Sequence, residues 1–131
     1  MHIETPKKNL KIGSEQIFNF LSDVKNFKKL MPENIEKFEL LDENTFRFAL
    51  KGMPEIVLRL KEKLPHSKVI LGAASSKLAF SLHFNIDGQS DETSDVSLNF
   101  EGKFNAMMAM MIKKPITNFM NTLSDNMTKI G

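Results

Sequence analysis

Three histidines have the widest reactive repertoire in this chain, and their positions keep them apart. His2 falls in the first strand, His66 in a turn and His83 on the polar face of a later strand. A zinc-type site needs several such side chains converging with carboxylates, often as His at i and i+4, and no such spacing occurs. Cysteine is absent, which removes thiol nucleophiles, thiolate metal ligands and disulfides. No Ser lies in a nucleophile-elbow pattern, and there is no Gly-rich phosphate loop. The sequence therefore assigns no catalytic residue, no metal ligand and no cofactor.

Acid–base chemistry would need a carboxylate turned into an apolar interior, where burial could retune its pKa. Strand parity gives Glu36 and Glu62 the register of the apolar Phe38 and Leu60, but each sits near a strand end. Because buried, unpaired carboxylates are costly, both are expected to reach solvent at the rim. The only arginines, Arg47 and Arg59, have outward parity and suit surface ion pairs.

The elements that would position a site are legible from periodicity. Ile3 to Ile12 reads as a strand interrupted by Pro6. Two short helices follow, one from the N-cap candidate Ser14 to Leu21, the other from about Asp23 until Pro32 makes continuation unfavourable. From Ile35 to Phe104 the apolar period is two, with turns at Asp42-Glu43-Asn44, Lys51-Gly52-Met53-Pro54 and Leu64-Pro65-His66-Ser67. In the clearest strand Leu78, Phe80, Leu82, Phe84 and Ile86 share one face, with Ala79, Ser81, His83 and Asn85 on the other. That is the pattern of an antiparallel sheet with one greasy and one wet face.

Asn105 to Ile130 reads as one long helix whose stripe of Met108, Ile112, Ile116, Phe119, Leu123, Met127 and Ile130 would cover the greasy face. Pro115 should kink or divide it. This segment carries six of the chain's nine methionines. Met is unbranched and adaptable, so it can line a pocket that accepts several shapes, and it equally fills an ordinary core. Met107, Met108, Met110 and Met111 are too closely spaced to line one cavity, so some must pack elsewhere or lie exposed.

Strand, two short helices, six antiparallel strands and a long final helix is the order of the helix-grip fold. Ser14-Glu15-Gln16-Ile17-Phe18-Asn19-Phe20-Leu21-Ser22-Asp23, then Phe27 and Leu30-Met31-Pro32, resembles the entry to the two small helices in short bacterial members of the START-like superfamily (SRPBCC). Gly102-Lys103-Phe104-Asn105, Met107-Met108 and Lys114-Pro115-Ile116 look like their approach to the last helix. The resemblance implies an α+β, helix-grip domain over residues 1–131, with a curved seven-stranded antiparallel sheet wrapped around the long C-terminal helix. It also implies an internal cavity for a hydrophobic or amphipathic molecule. Some members catalyse cyclisation or aromatisation, but no catalytic motif of theirs matches a run of this chain.

The expected function is accordingly non-enzymatic binding or transport of a small hydrophobic or lipid-like ligand. The site would comprise Phe46, Phe48, Leu58, Leu60, Phe80, Leu82, Phe84, Leu98 and Phe100 of the sheet with Met108, Ile112 and Phe119 of the helix. A cyclase or isomerase using Glu36 or Glu62 is the rival, as is a membrane- or protein-docking module with a filled core. Eighteen basic against sixteen acidic residues give a net charge of +2, spread as pairs such as Lys7-Lys8 and Lys113-Lys114. Such scattered pairs fit an ordinary solvated surface; no groove-sized basic patch calls for nucleic acid, and a transient membrane contact is the lesser alternative. Monomer and homodimer both fit. With no signal-like N-terminus and no bilayer-length apolar stretch, the expected location is the cytoplasm.

Overall fold

The period-two segments form a single antiparallel sheet. The computed structural model describes residues 1–33, 35–50, 55–74 and 80–130; the expected turn at Lys51-Gly52-Met53-Pro54, along with Leu78 and Ala79, lies outside them. The strands are β1 (His2–Glu4), β2 (Lys8–Leu10), β3 (Lys37–Asp42), β4 (Thr45–Ala49), β5 (Ile56–Leu64), β6 (Lys68–Ala73), β7 (Phe80–Ser90) and β8 (Thr93–Gly102). Their order is β1-β8-β7-β6-β5-β4-β3, with β2 also paired to β8. The N-terminal segment is thus one strand position broken into two pieces around Pro6, which lacks the N–H a continuous ladder needs. Eight segments fill the seven expected positions of a curved sheet.

Register aligns the apolar parity from strand to strand. Leu82 stands opposite Phe100 and Leu71, Phe84 opposite Leu98 and Val69, and Phe46 opposite Leu58. All of these side chains are buried. A bulge between Leu60 and Glu62 shifts the register of β5 against β6, so parity beyond that point ceases to report the face.

Helix α1 (Ser14–Leu21) buries Ile17, Phe18 and Leu21. Its N-cap is Gly13 rather than the expected Ser14, and no side chain caps it. The cause is proximity: a Cβ on Gly13 would lie 2.4 Å from the Asp91 carbonyl oxygen in the β7–β8 turn, so only glycine fits. The second short helix is a 3-10 segment, Val24–Leu30, whose Asp23 cap accepts from the Lys25 N–H at 3.2 Å. It turns Val24, Phe27 and Leu30 into the core.

Helix α2 (Ala106–Asn126) starts at Asn105, whose side-chain oxygen accepts from the Met108 N–H at 2.8 Å. It continues through Pro115 without division, so of the two expected effects of the proline the split does not occur. Around the proline the helix is exposed at Met111, Lys113 and Lys114, where water can reach the carbonyl that loses its donor. Burial begins at Ile116 and continues through Phe119, Met120 and Leu123. A 3-10 turn, Met127–Lys129, ends the element, and Asn126 Nδ2 ties it to the Leu30 carbonyl at 2.8 Å.

Candidate functional site

Between the buried half of α2 and the sheet lies an internal void of about 20 Å³. Six of the twelve expected lining residues surround it: Phe48, Leu58, Phe80, Leu82, Phe100 and Phe119. Ile56, Ile116 and Met120 complete the wall. Ile56 shares the parity of Leu58, and Ile116 belongs to the helical stripe, so both were available to sequence reasoning. Met120 lies one residue off that stripe. The void is roughly the size of one water, but its wall is entirely apolar and offers none of the polar partners a water requires.

The other expected residues take different positions. Phe46 and Phe84 are buried against Phe27, whose ring is 5.5 Å from each. The 3-10 segment thereby fills that end of the sheet with an aromatic plug. Leu98 is buried in the same core, while Leu60, beside the bulge, is half-buried. Ile112 is half-buried and Met108 is exposed. Met108 therefore does not line the interior, since burial along α2 begins only at Ile116.

Two aromatic groups flank the void. On one side Phe119 lies on Phe48, with centroids 5.1 Å apart and planes at 17°. On the other, Phe80 and Phe104 bracket Phe100 at 5.3 and 6.2 Å. Gly102 permits this second arrangement, since a Cβ there would meet the Phe104 ring at 2.5 Å.

Phe119, though buried, also borders a second space. A surface groove of about 340 Å³ runs between α2 and the segment after Leu30, lined by Pro32, Leu50, Lys114, Pro115, Asn118, Phe119 and Thr122. One ring thus contributes to the wall of both the groove and the void. The groove rim carries an ammonium group, an amide and a hydroxyl, whereas the space behind Phe119 is wholly apolar.

The titratable candidates lie outside this interior. Glu36 and Glu62 are both exposed, as expected from the cost of burying them. His83 is on the outer sheet face, its Nε2 2.9 Å from Ser81 Oγ. Partial burial pushes its pKa below the usual imidazole value, assisted by the charge of Lys68. His2 is raised, chiefly by its hydrogen bond to Glu4. His66 adopts a left-handed turn conformation with φ of 64°, its ring edge-on to Phe18 at 5.6 Å. Among the described residues no group of His, Asp and Glu could hold a metal ion. Arg47 pairs with Glu39 at 2.9 and 3.0 Å, holding that carboxylate below its usual range. Arg59 instead donates to Thr45 Oγ1 at 3.2 Å. No helix among the described residues is long and apolar enough to cross a membrane.

The architecture is similar to that of several solved structures. Norcoclaurine synthase from Thalictrum flavum, in complex with dopamine and hydroxybenzaldehyde, superposes with a TM-score of 0.78 at 11% identity over 98% of this chain and 84% of the synthase chain. A START superfamily protein from Mycobacterium smegmatis matches at 0.69 and 10% identity, covering 98% and 94% of the respective chains. A conserved protein from Geobacillus kaustophilus matches at 0.67 and 12%, covering 98% and 93%. No family model and no curated protein matches the sequence. The chain has the START-like, helix-grip fold.

Proposed function

We propose that this protein binds a small apolar or amphipathic ligand in a site made by joining the groove and the void across Phe119. The position of that ring, shared by a 340 Å³ groove and a 20 Å³ apolar void, is the observation that carries the reading. Swinging it aside merges them into a pocket of ligand size, within the usual range of about 300–1,000 Å³. Lys114, Asn118 and Thr122 at the mouth suit a carboxylate or other polar head, while the tail takes the apolar end. START-like neighbours, one of them crystallised with two small aromatic molecules, make such a use of the fold reasonable.

Apolar transfer supplies the driving force, about 25 cal/mol per Å² buried before association costs. Adaptable Met120 at the inner wall accommodates the tail by rotamer change. No carboxylate among the described residues faces the merged space, which favours binding over cyclase or isomerase chemistry. Titration with the apolar fluorophore N-phenyl-1-naphthylamine tests the proposal. Saturable binding should tighten in Phe119→Ala and weaken in Ile116→Phe, which fills the void. Absence of saturable binding to both the native chain and folded Phe119→Ala would overturn it.

A further inference from the structure

The N-terminal half of α2 is a second feature, separate from the pocket. Met107, Met110 and Met111 are 75%, 82% and 69% exposed. Elsewhere the same helix and the turn after it bury Met120 and Met127 completely, so methionine is not simply a surface residue in this chain. Exposed Lys103 and Lys113 flank the methionines in sequence, and no Asp or Glu occurs between Glu101 and Asp125. The segment at this helix tip is therefore rich in exposed methionine, and the charges it carries are all positive.

We propose that this tip docks on an anionic lipid bilayer. The methionines would enter the boundary between headgroups and acyl chains, and the lysines would meet lipid phosphates. A second copy of the chain is a poor occupant, because joining two tips brings two sets of lysines together with no carboxylate on the segment to offset them. An anionic surface supplies that missing charge. The exposed stretch is short, so it rests in the interface and does not span it. This docking requires neither the groove nor the void.

Co-sedimentation with vesicles of equal parts phosphatidylglycerol and phosphatidylcholine tests it. The native chain should bind these vesicles much more tightly than phosphatidylcholine alone, and high salt should weaken the binding. The double variant Met110→Ser/Met111→Ser should bind about tenfold more weakly or less, having lost two inserted side chains. Lys103→Glu/Lys113→Glu should lose about fivefold or more per lysine. All four positions are exposed, so circular dichroism should show native folding. Equal binding to both vesicle types, or unchanged binding by the variants, overturns the proposal. Dimerisation abolished by the serine variant, without vesicle binding, would also overturn it and assign the tip to a second copy.

Discussion

Replacing Phe119 with alanine removes the ring that separates the groove from the void. Phe119 is buried and lies flat against Phe48; truncating it deletes that contact and enlarges an existing cavity. Phe→Ala changes in cores cost about 3–5 kcal/mol, with a well-placed aromatic pair contributing about 0.5–1.5 of that. This site should lie at the lower end, about 3 kcal/mol, because the new space opens toward the groove and its walls can relax into it. Urea unfolding followed by far-UV circular dichroism suits a chain without Trp or Tyr. With a slope of about 1.5–2 kcal/mol/M the midpoint should fall by roughly 1.5–2 M. An aromatic ligand that occupies the opened site should restore stability, by about 2.7 kcal/mol at a hundred times its dissociation constant. A loss below about 1 kcal/mol would show that the ring does not partition the interior. A full loss with no recovery in saturating N-phenyl-1-naphthylamine would show that the enlarged space is not a ligand site.

Two further outcomes follow from particular contacts. Gly13→Ala should destabilise the fold by about 1–3 kcal/mol in the same assay, since the new methyl group meets the Asp91 carbonyl and the β7–β8 turn must shift; an unchanged midpoint would refute that close approach. Folding lowers the His83 pKa, so the unfolded chain takes up this proton more readily. Its stabilising contribution is complete above the ordinary value of 6.5 and is lost as pH falls through and below it. His2, raised in the folded state, acts in the opposite sense and contributes below 6.5. The loss of stability between neutral pH and pH 5 should therefore be smaller in His83→Gln than in the native chain, and equal slopes in urea titrations would contradict the assignment.

Periodicity revealed most of the sheet because each strand with one buried face writes its register into the sequence. Leu82, Phe84, Leu98 and Phe100 could be assigned to the interior without knowing their neighbours. Leu60 shows the limit: the bulge beside it is a backbone event, and the alternation of Leu58, Leu60 and Glu62 carries no mark of it. Helical spacing has a related blind spot. Met108 and Ile112 continue the stripe of Ile116 and Phe119, but a stripe only shows which side of the helix is apolar, and whether any sheet lies opposite depends on where the helix crosses it. The plug at Phe27 was equally hidden, since its meeting with Phe46 and Phe84 joins residues far apart in the chain. Hence the lining was half legible, while the division into a filled end and a void required three dimensions.

Methyl NMR during titration with N-phenyl-1-naphthylamine tests the central claim most directly, because it reports where an apolar ligand sits. Interior occupancy predicts saturable shifts at Leu82, Ile116 and Met120, larger than those at the exposed Met110 and Met111. Shifts confined to Met107, Met110 and Met111, with the interior methyls unmoved at saturation, would contradict an internal ligand site.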